Sequence, residues 1–229
     1  MGYKLLILYK IVVINDIINI INSYCNLFDY VDHFFINCDK TIASDMIIIN
    51  NLITFKIEEN NWESLLIKTI KSFNYFKNKN YSHIMVSNVN TFINIPILYK
   101  KLGENECSAF TGNHTFKNTT YKFPSGCGYI FNINVVKNIC DFFYNNRYIL
   151  DNKLSHDFIS NYPSTDDIFF GYYLFINKIK INNLERYDIL DNNVLNNQII
   201  RIVPHVRIKT GNLINDANIH VYLRNLIYK

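Results

Sequence analysis

Asp166 and Asp167 stand side by side after Ser164-Thr165, where the pattern opens a helix. Carboxylates at a helix N-terminus are stabilised by the unpaired amides and the dipole. Adjacent helical residues point roughly 100° apart, so one can cap while the other projects into a cleft as a general base. Gly126 and Gly128 flank Cys127 ahead of an apolar strand. Glycines there either let the backbone approach a ligand or bend the strand entry. Asn88-Val89-Asn90 follows the apolar run Ile84-Met85-Val86, inside the stretch Ser82 to Asn94. Compact polar groups after a buried strand suit the carboxyl edge of an α/β sheet, where ligands sit, and they equally suit an Asn-rich turn. His205, beside Pro204, is either a ligand to metal or phosphate or a structural hydrogen-bonder. Lys68 falls on the polar face of a helix, where it is solvated or contacts a diphosphate.

These residues need a scaffold. Leu5 to Val13 reads as a buried strand, and Asn15-Asp16 starts a helix carrying Ile17, Ile18, Ile21 and Cys25 at helical spacing. Val31 to Asn37 is a second strand and Met46 to Ile49 a third. Around Asn60-Asn61 a helix opens, with Trp62, Leu65, Leu66, Ile70 and Phe73 as its apolar stripe and Ser64, Lys68 and Lys71 opposite. The order β-α-β-β-α-β predicts a mainly parallel, helix-covered sheet. Ile97 to Leu102 reads as a short helix, and residues 103–122 as a few short strands. Asn134 is the expected N-cap of a helix bearing Val135, Val136, Ile139, Cys140 and Phe143. Residues 145–163 read as loop, and the helix at Asp166 presents Ile168, Phe169, Tyr172 and Ile176. Ile199 to Val203 is the best strand of the tail. No repeat, linker or shift of composition divides the chain, so a single domain over residues 1–229 is expected.

At 229 residues, with 17 Tyr, 17 Phe and about half of the residues apolar, the chain can bury one sizeable core. Heavy use of Asn, Ile, Lys and Tyr is read as AT-rich codon bias. A net charge of +4 fits an anionic ligand but is too small and dispersed for nucleic acid. The five cysteines, Cys25, Cys38, Cys107, Cys127 and Cys140, form no CxxC pair, which argues against structural zinc and for buried thiols. Leu5 to Tyr24 carries Lys10, Asn15, Asp16, Asn19 and Asn22, too polar for a membrane span, and lacks a signal-peptide cleavage site. A cytoplasmic location is the expectation. The glycosylation patterns at Asn113 and Asn118 are chance matches in so Asn-rich a chain.

The order WESLLIKTIKSFNYF, SHIMVSNVNTFIN, PSGCGYIFN, STDDIFFGYYL and a late His resembles the fringe and β-1,3-galactosyltransferase group of glycosyltransferases, over roughly residues 31 to 207. The resemblance implies a GT-A fold, Rossmann-type, with helices on both faces of the sheet. It implies inverting transfer of a sugar from a nucleotide sugar, usually a UDP-sugar, to a hydroxyl of a glycan or protein acceptor. Lys68-Thr69 matches the family's Lys-Thr helix. Asn88-Val89-Asn90 stands where the family has its Asp-x-Asp, which holds manganese on the donor diphosphate, and Phe92 and Asn94 match the residues after it. Ser125-Gly126-Cys127-Gly128-Tyr129 resembles the Gly-rich stretch lining donor sugar and acceptor. Asp166-Asp167 with Gly171 resembles the acidic pair and glycine that supply the catalytic base, with Asp167 the closer match. His205 stands at the family's metal-binding His, and Asn37-Cys38-Asp39 resembles the nucleoside-contacting segment, with Asp39 as the donor contact. Neutral amides bind a hard dication far more weakly than carboxylates. Manganese or magnesium is therefore either absent, or held mainly by the diphosphate with His205, Asn90 and water. A catalytically inactive sugar-nucleotide-binding or structural module on the same fold is the alternative.

Overall fold

The computed structural model describes residues 2–10, 15–59, 62–190 and 195–228. The chain opens with β1 (Leu5–Lys10), α1 (Asn15–Cys25), β2 (Val31–Cys38), β3 (Met46–Ile49), β4 (Leu52–Phe55) and α2 (Glu63–Phe76). It continues through β5 (His83–Asn88), β6 (Thr91–Ile93), α3 (Ile95–Lys101), β7 (Cys107–Phe116), β8 (Thr119–Asn132) and α4 (Ile133–Asn145). Then follow β9 (Ile149–Leu150), β10 (Lys153–Leu154), α5 (His156–Asn161) and α6 (Asp166–Ile176). The last elements are β11 (Ile181–Asn183), β12 (Arg186–Leu190), α7 (Asn197–Ile200), β13 (His205–Lys209) and α8 (Leu213–Tyr228).

An eight-stranded sheet in the order β11-β7-β8-β5-β1-β2-β4-β3 forms the centre. Its pairings leave β8 and β3 antiparallel to the other strands, so the sheet is mainly parallel, as the strand–helix alternation predicts. Helices cover both faces. Strand residues alternate sides, so Leu5, Ile7 and Tyr9 of β1 pack into the core shared with α1, α3 and α8, while Leu6 and Leu8 join the core under α2, α4 and α6. By the same parity Lys10 and Asn88 lie on the second face, next to each other, because they are register partners at the carboxyl ends of β1 and β5. A second sheet, β12-β13-β6, continues the first core.

Several local expectations change. Leu66, Ile70 and Phe73 of α2 are buried as the stripe predicts, but Lys68 and Ser64 are fully buried too and Trp62 is exposed. This helix packs against β2, α4 and α6 together, and that enclosure overrides the simple stripe. Asn132, not Asn134, caps α4, its side chain accepting the Val135 N–H. Residues 145–163 hold the β9–β10 hairpin and α5, and in place of a few short strands two long ones, Cys107–Phe116 and Thr119–Asn132, pair with each other. Ile199 sits in α7 rather than a strand, because the Asn196 side chain accepts from the Gln198 and Ile199 amides and starts a helical turn. The strand begins instead at His205. Helix α6 is apolar nearly all round, and it buries Phe169, Phe170, Tyr173 and Leu174 while exposing Ile176. The expected strand residues 11–13 and the Asn60-Asn61 helix start lie outside the described residues.

Candidate functional site

Two local features bring α6 to the sheet edge. The first is Gly171, where an added Cβ would lie 2.6 Å from the Phe123 Cα and 2.9 Å from the Lys122 carbonyl oxygen. With no side chain there, the helix lies directly on β8. The second is a break in the β7–β8 ladder, which moves from Ala109↔Tyr129 to Thr111↔Pro124. Residues 125–128 therefore face Phe110 alone and arch out of the sheet. Ser87 holds this arch by donating its hydroxyl to the Cys127 carbonyl at 2.8 Å.

Beneath the arch, three elements distant in sequence meet. Lys10 Nζ donates to Asp166 Oδ2 at 2.7 Å, and both side chains are about 4% exposed. The Tyr129 hydroxyl also donates to Asp166 Oδ2, at 3.2 Å. Burial and the Asp166 charge keep that phenol protonated by raising its pKa well above the usual value. Asp167 is half-buried and points the other way. Its Oδ2 accepts the Gly126 N–H at 3.2 Å, and its Oδ1 accepts the Ile168 N–H at 2.9 Å. Burial first, then the neighbouring Asp166 charge, raise its carboxyl above the ordinary range; Lys10 and the two amides oppose that shift. A Cβ at Gly126 would meet Asp167 Oδ2 at 3.3 Å, Lys10 Nζ at 3.6 Å and Asn88 Nδ2 at 3.7 Å. Gly126 thus lies where a carboxylate, an ammonium and an amide converge, and it has no side chain to cover them.

The adjacent aspartates divide as their helical geometry predicts: Asp166 is locked into a buried ion pair, and Asp167 stays partly exposed beside Gly126. The raised proton affinity of Asp167 is the property a general base at this position requires.

Around this centre, Arg186 stacks its guanidinium 3.8 Å from the Phe110 ring centroid. Its Nη1 donates to Ser125 Oγ at 3.1 Å and to Cys127 Sγ at 3.2 Å, and its Nε lies 2.6 Å from Asp188. Ser125, Gly126, Cys127 and Gly128 are therefore held from outside by β12. Val89 is buried in the turn beyond β5. Asp39, at the carboxyl end of β2, is exposed and accepts from the Thr41 amide and hydroxyl.

Lys68 is not brought to this centre. It lies beneath the end of β2, with Nζ 3.4 Å from Glu59 Oε1, close enough to the Cys38 thiol to oppose the burial that pushes that thiol up to about 12. Asn90 and His205 do not converge either. His205 pairs with Ile93, whereas the Asn90 carbonyl accepts the Ile208 N–H at 2.8 Å. Three residues of strand, about 10 Å, separate the two positions. The His205 ring is fully buried against Gly128, and both its nitrogens lack a hydrogen-bond partner among the described residues. Burial, then Arg186 and Lys101, lower its pKa to about 3, so it is neutral. Asn90 Oδ1 is likewise buried and unpartnered. Among the described residues no three His, Cys, Asp or Glu side chains cluster as metal ligands. With Asp166 committed to Lys10 and amides at positions 88 and 90, the donor set does not fit a manganese or magnesium site of the Asp-x-Asp kind.

Lys10 is the member that sequence reasoning missed as a site residue, while Tyr129, read with the Gly-rich stretch, turns its hydroxyl to Asp166. Lys10 ends an apolar run and reads as a strand terminator; only its pairing with Asn88, and with an aspartate 156 positions away, reveals it. A cavity of about 510 Å³ lies elsewhere, between β4, α2 and the β9–β10 hairpin, and mixes Lys40, Lys56 and Lys153 with Glu58, Glu63 and Asp151.

No family model matches the sequence, and no curated protein is significantly similar to it. The fold does have a counterpart among solved structures. A glycosyltransferase involved in the glycosylation of the major capsid of PBCV-1 superposes with a TM-score of 0.52 at 6% identity, over 96% of this chain and 99% of that one. The glycosyltransferase GlyE of Streptococcus pneumoniae TIGR4 gives a TM-score of 0.43 at 11% identity, over 81% of this chain and 45% of that one, too low to support an argument. The chain therefore has a mixed α/β fold shared with a structurally characterised glycosyltransferase.

Proposed function

We propose that the protein transfers a sugar from a nucleotide sugar, most simply a UDP-sugar, to an acceptor hydroxyl with inversion, on a GT-A-type domain. The observation that carries the reading is Asp167. It is a half-buried carboxylate of raised proton affinity at the carboxyl edge of the sheet, bonded to the Gly126 N–H beside Lys10 and Asn88, on a fold shared with a glycosyltransferase.

In this reading Asp167 accepts the proton of the acceptor hydroxyl as its oxygen bonds to the anomeric carbon. The bond from that carbon to the β-phosphate oxygen breaks, and its electron pair leaves with the nucleoside diphosphate. Attack from the Asp167 side and departure on the other give inversion in one displacement. The arch of Ser125, Gly126, Cys127 and Gly128 lines the donor sugar, Asn88, Val89 and Asn90 edge the diphosphate, and Asp39 meets the nucleoside. Asp166 positions Lys10 and Tyr129 and raises the basicity of Asp167. A glycan or protein hydroxyl is the acceptor.

The test is release of UDP from a panel of UDP-sugars. Asp167→Asn should cut turnover by a factor on the order of 10³ while UDP still binds. Full activity in that variant contradicts the assignment of the base. UDP binding without consumption of any donor by the wild-type chain favours a non-catalytic binding module.

A further inference from the structure

The donor set at the turn after β5 is wrong for a dication, yet a cation is present beside it. We infer that the Lys10 ammonium takes the place of a divalent metal against the donor diphosphate, an inference that rests on the transferase reading. Lys10 is the register partner of Asn88, so its side chain stands next to the first residue of the Asn-Val-Asn turn, on the same face of the sheet. An ammonium has three donor hydrogens. Among the described residues Lys10 Nζ has one hydrogen-bond partner, Asp166 Oδ2, and a Tyr129 ring centroid at 5.6 Å. Two donor positions are left for a ligand, and Lys10 Nζ, Asn88 Nδ2 and Asp167 Oδ2 converge on Gly126, which carries no side chain to cover them. The 4% exposure of the side chain makes that charge act in a low dielectric, where it is worth several times its value in water.

The other candidate cations are committed. Lys68 is turned to Glu59, and Arg186 is engaged with Ser125, Cys127 and Asp188. The carboxylates that would hold a metal are absent from positions 88 and 90, and Asp166 is already neutralised by Lys10. The free donor hydrogens at this edge thus belong to Lys10, and in this proposal they meet the diphosphate oxygens that a metal would otherwise hold.

Titration calorimetry with UDP, and with uridine as a probe that lacks phosphates, tests this on the full chain. Wild-type affinity for UDP should be the same in EDTA and in manganese. Lys10→Met should weaken UDP about 30-fold, the scale of one charge-assisted hydrogen bond, and leave uridine unchanged. Because Lys10→Met strands a buried Asp166, the double variant Lys10→Met/Asp166→Asn serves where the single one fails to fold, with the same loss expected. Loss of UDP binding in EDTA with rescue by manganese overturns the role of Lys10 but leaves the transferase reading standing. Unchanged UDP affinity in the Lys10 variants does the same. Failure of the wild-type chain to bind UDP under either condition overturns both.

Discussion

Lys10 and Lys68 are both buried, and they are buried to different ends. Lys10 and its partner Asp166 are each about 4% exposed, at 2.7 Å, so neither charge can reach water without the other. Lys68 is fully buried, but its partner Glu59 is 46% exposed and 3.4 Å away, so that pair opens to solvent. A closed pair at the carboxyl end of β1 costs desolvation of both charges and fixes the position of each against the other. An open pair under a strand end stretches a long stem through the core to a solvated carboxylate. The presence of a buried lysine is therefore not the signal; the burial of its partner is.

The sharpest way to break this contrast is to remove each ammonium. Lys10→Met leaves Asp166 as an uncompensated buried charge and should cost about 3–5 kcal/mol in denaturant unfolding. Lys68→Met should cost about 1 kcal/mol or less, because Glu59 returns to water. Equal losses would mean that the two pairs do the same work. Adding Asp166→Asn to Lys10→Met should recover most of the first loss and nothing of the second.

A smaller effect is expected where α6 rests on β8. Gly171→Ala forces a methyl against the Phe123 and Lys122 backbone and should cost about 1–3 kcal/mol. The damage should propagate to Asp166 and Asp167 at the start of the same helix, so donor turnover should fall with stability. Lys68, held by α2, should keep its environment.

The smallest and most diagnostic effect concerns Asp167. Its folded-state pKa is raised, so the fold resists its ionisation. That cost is fully present above the raised value and is relieved as pH falls through it. Asp167→Asn should therefore be more stable than wild type at neutral pH, an advantage that disappears in acid, while turnover is lost. Thermal unfolding of both proteins across pH checks this. A variant less stable than wild type at neutral pH would show that Asp167 is there to hold the fold.

Much of the scaffold was legible in the sequence. The apolar run at Leu5, the spacing of Ile17, Ile21 and Cys25, and the β-α-β-β-α-β order correspond to β1, α1 and the parallel centre of the sheet. The tail was misread because Ile199 to Val203 has strand composition while Asn196 supplies a local cap that sequence periodicity does not weigh. Among the site residues, the proximity of Asp167, Gly126 and Asn88 follows the order of the motifs. Lys68, read as solvated or on a diphosphate, and His205, read as a ligand or a structural hydrogen-bonder, both lie in the core, because burial on several sides depends on tertiary packing. Lys10 was invisible as a site residue because its partners come from β5, β8 and α6, and no local pattern records that meeting.

The most direct measurement is a crystal structure of the chain with UDP bound, grown in EDTA. The account predicts the diphosphate at the Gly126 arch, with an oxygen in hydrogen-bonding range of Lys10 Nζ and Asp167 on the open side of the site. A diphosphate lying instead on Lys40, Lys56 and Lys153 in the cavity beside α2 would contradict it.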